Sequence, residues 1–433
     1  MNKSKRGITQ AGLAPWEKGV PPTSENILLD DVPKRSWEIL REDLPLPVAV
    51  IRETALRHNS AWMKRFLSAQ NVRFAPHGKT TMAPDLFDLQ IADGAWAITL
   101  STTHQIRVAR AFGHSRIFLA NQLVGRAAIE FALSEIRNDP DFEFYCLVDD
   151  AENAKSIARQ ASMMRLPRAV NVLVELGYPG GRTGCRSVAQ ALDLARVVAA
   201  TAGLSLAGIE GFEGLLNSPQ PAEAAAKVEA FLDCMIDLAE RCAAEHLFSV
   251  DEPILSAGGS SYFDIVAAKL KQARLGRSHH VVLRSGCYIT HDAIMYTRAF
   301  ERLRERSPTI VGNDEGLRPA LEVWSYVQSR PEPQKAILGL GKRDISHDEP
   351  PVALSWFRPN NGMAGPLPIP PGHSVTGLND QHCHMTLPAS SQLRVGDMVA
   401  LGISHPCLTF DKWRIVHVVD DDYRITRSMR TYF

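Results

Sequence analysis

The chain has 433 residues, with 48 Lys plus Arg against 48 Asp plus Glu, 45% hydrophobic residues and 22% charged ones. That length exceeds one small core and fits two domains of ordinary globular composition. The balanced charge leaves no electrostatic footprint for nucleic acid or an anionic membrane surface, and no apolar run reaches the length of a membrane span.

The first stretch, MNKSKRGITQAGLAPWEKG, has charges but no apolar core behind them, so no secretory signal is expected. Residues 1–45 read as a polar, Pro-containing arm, or as a contributor of a strand to the second domain. From Leu46 short apolar runs alternate with amphipathic ones. PVAVI is strand-like and ETALRHNSAWMKRFLSAQ has helical spacing; VRFA, AWAITLS, RIFLAN, FEFYCLVDD, AVNVLVELG, LSLAGIEGF, PILSAGG and HVVLRSG continue the strands. Helical segments such as VAQALDLARVVAATAG fill the gaps. Near-continuous apolar strands separated by helices predict a parallel sheet covered by helices. About eight such units over roughly 250 residues predict a (β/α)8 TIM-type barrel over residues 46–300, with a doubly wound open sheet as the alternative. Beyond residue 300 short β-like runs (LEVWSYVQ, KAILGLG, DMVALGI, WRIVHVV) lie between Pro- and Gly-rich turns, so residues 301–433 read as a β-rich domain.

Seven cysteines, an odd number scattered over a long chain, point to reduced thiols and a cytoplasmic setting rather than a disulfide framework. Most of them, Cys146 and Cys234 included, sit in apolar runs and read as small buried hydrophobes.

The candidate strands end in unusual residues. In FAPHGKTTMAPDL, Pro76 and Gly78 break an apolar run and deliver Lys79 just past a strand end, where a barrel displays reactive groups. An ordinary turn with a solvated lysine is the alternative. Elsewhere the strand ends offer Ser101 to His104, Asn121-Gln122, Arg182 after paired glycines, Gly258 to Ser261, and Arg284, Gly286 and Tyr288. In AGGSS two glycines let backbone amides approach an anion, and hydroxyls can complete a phosphate cradle. Further on, His405-Pro406-Cys407 offers an imidazole and a thiol, both good Zn²⁺ ligands, and an extended chain would point both to one side. A competing cluster is His382, Cys383 and His384.

Taken together, PHGKT, GGRTG, SAGGS and LRSGCYITHD resemble the D-serine dehydratase and D-threonine aldolase family, pyridoxal-phosphate enzymes with the alanine-racemase fold, a barrel followed by a β domain. The similarity runs from about Leu46 to the C-terminus. It implies that Lys79 forms the Schiff base with the cofactor and later removes the Cα proton. It places His77 beside Lys79 as a tuning residue, with a backbone-bonded turn histidine as the alternative. It sets Arg182 against the pyridine nitrogen, which a guanidinium can only donate to. It assigns Gly258, Gly259 and Ser260 to the phosphate, with Tyr288 adding a hydroxyl or standing in the core.

In the family a His-X-Cys motif goes with zinc-dependent dehydratases and His-X-Asp with aldolases, so His405 and Cys407 are expected to hold zinc. The Glu-His-Gly motif of the family is replaced here by Gln381-His382-Cys383, and His382 is expected in the active site, as a third neighbour of the metal in one version. The implied activity is a carbon–oxygen lyase on D-3-hydroxy amino acids, D-serine dehydratase giving pyruvate and ammonia. The alternatives are retro-aldol cleavage of the D-threonine aldolase type, a 3-hydroxy-D-aspartate dehydratase, an amino-acid racemase and a non-enzymatic cofactor carrier. The implied partners are a small D-amino acid and a second copy of the chain in a homodimer.

Overall fold

The computed structural model describes residues 12–22, 25–311 and 315–433. Eight parallel strands follow the apolar runs: β1 (Arg73–Phe74), β2 (Ile98–Leu100), β3 (Arg116–Gln122), β4 (Glu143–Val148), β5 (Val170–Leu176), β6 (Leu204–Gly211), β7 (Ile254–Ala257) and β8 (His280–Leu283). Their order in the sheet is β1-β8-β7-β6-β5-β4-β3-β2. Hydrogen bonds from Trp96 N to Phe74 O (2.6 Å) and from Thr99 N to Pro76 O (3.0 Å) join the two ends. The curled sheet is therefore a closed barrel, and the open-sheet alternative falls away.

The strands are apolar on both faces because both faces are buried; all eight residues of β6 lie in the interior. Ala75, Ala97, Phe118, Leu147, Leu173, Ala207, Ile254 and Val282, one from each strand or its flank, pack together as a plug inside the ring. Trp96, Tyr145 and Val250 border that plug from the end where the strands begin. The opposite end, where the strands finish, is left to polar loops. Helices cover the outside, several started by side-chain caps: Thr102, Asp150 and Ser187 each accept a backbone N–H from the first turn.

One expectation is corrected here. PVAVI forms the strand Val48–Arg52, but it lies outside the barrel. It pairs antiparallel with Leu321–Glu332 and parallel with Ile415–Val419, in the sheet of the second domain. A short run buried on both faces reads alike for either sheet, so apolar pattern alone does not say which sheet receives it. The second domain otherwise consists of antiparallel ladders, including Leu321–Glu332 with Met398–Gly402 and Ile415–Val419 with Ile425–Arg430. Leu13, Val20, Ile27, Val32, Ile39 and Leu44, from the segment before Leu46, share a core with Val48, Trp324, Met398 and Ile425. No helix among the described residues is long and apolar enough to cross a membrane.

Candidate active site

The barrel mouth holds a cavity of about 540 Å³, within the range of small-molecule sites. After β1 the chain makes one 3-10 turn, Gly78–Thr80, which carries Lys79. Glycine is required at 78: a Cβ there would sit 2.8 Å from the Phe87 ring and 2.9 Å from Ile98 Cγ2. Lys79 lines the cavity with its ammonium held below the ordinary lysine range. Burial is the main cause; the Arg182 and Arg284 guanidiniums push the same way, against the thiols of Cys407 and Cys287. His77 Nε2 lies 3.3 Å from Ser101 Oγ. Burial, with Lys79 and Arg284 nearby, keeps the His77 ring neutral well below its usual range.

The loop after β5 brings Arg182 to the cavity, its guanidinium 4.8 Å over the Phe212 ring. After β7, Gly258 takes φ +100°, which a side chain would strain. The Gly258 and Gly259 amides then donate to the two oxygens of the buried Glu213 carboxylate, at 3.0 and 2.6 Å. Two adjacent amides thus grip one carboxylate, so the turn is built to take an oxyanion. Ser260 lines the cavity beside it. Arg284, after β8, is fixed by an ion pair with Glu210 and by a 2.9 Å bond to Gly211 O. Burial pushes the Glu210 carboxyl up to about 8 in spite of that guanidinium.

The second domain closes one side of the mouth. His405 follows the strand Met398–Gly402, and Cys407 opens the short helix Cys407–Phe410. The sequence predicts an extended step between them, but the step is helical: Pro406 has φ −59° and ψ −44°. The helical turn still brings both side chains to the cavity. His405 Nδ1 lies 2.9 Å from Asp348 Oδ2, and Asp348 Oδ1 accepts from Ser404 Oγ at 2.6 Å. Burial lowers the His405 imidazolium, but hydrogen bonds and charge from Cys407 and Asp348 outweigh it and push the group up to about 9. Cys287 joins from the turn after β8. The ligand atoms of Cys287, His405 and Cys407 lie within 4.8 Å of one another, and the two sulfurs are 3.9 Å apart. Cys407 is held well below the ordinary thiol range, chiefly by its bond with Cys287 and then by His405, while Cys287 is pushed up by Cys407 and burial.

Eight of the expected residues therefore meet in one cavity: Lys79, His77, Arg182, Gly258, Gly259, Ser260, His405 and Cys407. Two do not join them. Tyr288 is buried edge-on against Phe74 (5.2 Å) with its hydroxyl toward Gln90, so it belongs to the core alternative. His382 is exposed at the turn between the strands Ser374–Leu378 and Cys383–Thr386, and it does not line the cavity of its own chain. The neighbouring cluster is split by strand alternation: Cys383 faces the interior, whereas His384 Nε2 bonds Asn379 Oδ1 at 2.6 Å. Cys234, read as a buried hydrophobe, is exposed. Cys287 and Tyr296 were missed as cavity residues. Cys287 stands inside the quoted LRSGCYITHD, but only the folded chain brings it to Cys407.

Residues 51–277 match the family "Alanine racemase, N-terminal domain", and residues 320–419 match "Putative serine dehydratase domain". A D-threonine aldolase from Arthrobacter sp is 24% identical over 83% of this chain and 84% of its own length. A D-threo-3-hydroxyaspartate dehydratase from Delftia sp. (strain HT23) is 29% identical over 58% of this chain and 63% of its own. Among solved structures, the D-threonine aldolase from Filomicrobium marinum superposes with a TM-score of 0.70 at 20% identity, covering 90% of this chain and 95% of that one. With over half its length inside the first match and the barrel closed as that fold requires, the chain belongs to the alanine racemase N-terminal domain family and carries a serine dehydratase-type domain behind its barrel.

Proposed function

We propose that this chain is a pyridoxal-phosphate- and zinc-dependent lyase of D-3-hydroxy amino acids that eliminates the β-hydroxyl, with D-serine as the substrate and pyruvate and ammonia as products. One observation carries the reading: the amine of Lys79 and the imidazole–thiol pair of His405 and Cys407 line the same cavity, although they come from different domains. The residues fit both groups, provided the Glu213 carboxylate gives up the Gly258 and Gly259 amides to the phosphate. Lys79 would hold the cofactor aldehyde, the Gly258 and Gly259 amides with Ser260 its phosphate, and Arg182 its ring nitrogen. His405 and Cys407 would hold the cation. When bound, the cofactor supplies an electron sink beside Cα and the cation a Lewis acid for the departing hydroxyl.

The chain's own groups do the rest. Lys79, whose ammonium burial disfavours, is the base that takes the proton at Cα once the substrate's amine has taken its place on the aldehyde. The guanidinium of Arg182 offers donors only, so it would fix the ring through its nitrogen. Asp348 orients the His405 ring through Nδ1, so Nε2 is the ring nitrogen left for the cation. The apolar plug below keeps water out of the lower barrel.

A second reading is retro-aldol cleavage to glycine and an aldehyde, favoured by the D-threonine aldolase relative that spans most of the chain. The experiment supplies the chain with pyridoxal phosphate and Zn²⁺ and offers D-serine, D-threonine and 3-hydroxy-D-aspartate. Keto acid plus ammonia supports elimination; glycine plus aldehyde replaces it with the second reading. Lys79→Ala should lose the visible absorbance of the bound cofactor, and an unchanged spectrum would remove Lys79 from its role.

A further inference from the structure

We infer that Cys287 is a third protein ligand of the metal, making a Cys2His centre that spans the two domains and leaves a single position open for the substrate oxygen. The inference rests on the reading that His405 and Cys407 bind a cation, and extends it to a residue outside that motif. Zn–S bonds of about 2.3 Å at a tetrahedral angle separate two sulfurs by about 3.8 Å. The observed Cys287–Cys407 separation is 3.9 Å. All three ligand atoms, His405 included, lie within 4.8 Å of one another, so a cation reaches them with small side-chain adjustments.

The surroundings hold this arrangement in place. Cys287 is 5% exposed and begins the 3-10 turn Cys287–Ile289, with Gly286 wedged against His77 O and Thr80 before it. Thr80 Oγ1 lies 3.5 Å from Cys407 Sγ and 3.9 Å from Cys287 Sγ, on the turn that carries Lys79. The Asp348 carboxylate fixes the His405 ring from behind, the usual support of a metal-bound imidazole. Three protein ligands with one open position is the pattern of catalytic zinc, whereas closed structural sites use four. Two thiolates also set the choice of metal. They favour Zn²⁺ and similar borderline ions over Mg²⁺ and Mn²⁺, which prefer oxygen ligands.

The test is cobalt substitution in the full-length chain, stripped by a chelator under reducing conditions and titrated with Co²⁺ alone. Near-ultraviolet sulfur-to-cobalt charge transfer grows with the number of bound thiolates. Cys287→Ser should cut that band to about half and weaken binding by more than the roughly 10–100-fold that outer-shell partners cost. Cys407→Ser should do the same. A Cys287→Ser protein with the full band and affinity would overturn the inference, while leaving the His405–Cys407 reading intact. If the reduced wild type binds no Co²⁺, both fail. Should Cys287→Ser not fold, alkylation of the wild type with and without Zn²⁺, followed by peptide mapping, decides the matter. Protection of Cys287 together with Cys407 supports the third ligand, and protection of Cys407 alone refutes it.

Discussion

Gly286→Ala should disable the site without unfolding the barrel. Gly286 has φ −100° and ψ −33°, a conformation alanine adopts readily, so backbone strain contributes nothing. The cost is steric. A Cβ at this position would lie 2.5 Å from His77 O, 2.6 Å from Thr80 Oγ1 and 2.9 Å from His77 Cβ. Ordinary contact begins at 3.4 Å, so the backbone of the His77–Thr80 turn must retreat by about 0.9 Å. That turn carries Lys79, and the other side of Gly286 carries Cys287. Overpacking of this kind costs about 1–3 kcal/mol of stability. Misplacing a reacting group by about 1 Å costs on the order of 10²-fold in kcat/KM. The variant should keep a native far-ultraviolet spectrum, lose roughly that much stability in urea, and lose turnover and cofactor affinity together. Gly365→Ala is the control, because a Cβ there meets nothing within 4 Å. Wild-type turnover in Gly286→Ala would refute the claim that these two turns are in hard contact and set the lysine's position.

Two other measurements bear on the chain's electrostatics. Glu213→Ala should free the Gly258 and Gly259 amides and tighten the binding of inorganic phosphate and of pyridoxal phosphate about tenfold, the effect of one charge-assisted hydrogen bond; weaker binding would mean that Glu213 helps to hold the cofactor. His417 is buried, with Nε2 donating to Gly19 O (2.9 Å) and Nδ1 accepting from Ser428 Oγ (2.6 Å), and burial lowers its pKa to about 4. Between pH ~6.5 and ~4 the unfolded chain binds a proton that the folded chain refuses, so stability should fall by about 3 kcal/mol as pH drops through that window. Urea titrations of wild type and His417→Gln across these pH values should show a smaller drop in the variant; equal slopes would remove His417 as the cause.

Much of the site was legible because the chemistry is concentrated at strand ends. Lys79, Arg182 and the Gly258–Ser260 turn each follow an apolar run, and a closed barrel sends all such ends to one mouth. The failures have local physical causes. Cys287 and Tyr288 are neighbours in one 3-10 turn, yet one faces the cavity and the other the core, which no motif encodes. His382, Cys383 and His384 look like a ligand cluster in one dimension, but alternation along a strand separates them. Cys287 and Cys407 lie 120 residues apart in sequence, so their meeting is a product of domain packing. The strand Val48–Arg52 reads as a barrel strand because burial on both faces suits either sheet.

That same strand makes the barrel an insertion within the other domain. During synthesis the chain emits Val48–Arg52 first, and its two partners, Leu321–Glu332 and Ile415–Val419, more than 260 residues later. The barrel can be complete while this apolar ribbon still has both edges bare, an invitation to pairing between nascent chains. Production of the protein should therefore depend on how quickly translation reaches the C-terminal residues, and truncation after the barrel should yield aggregates rather than a soluble fragment.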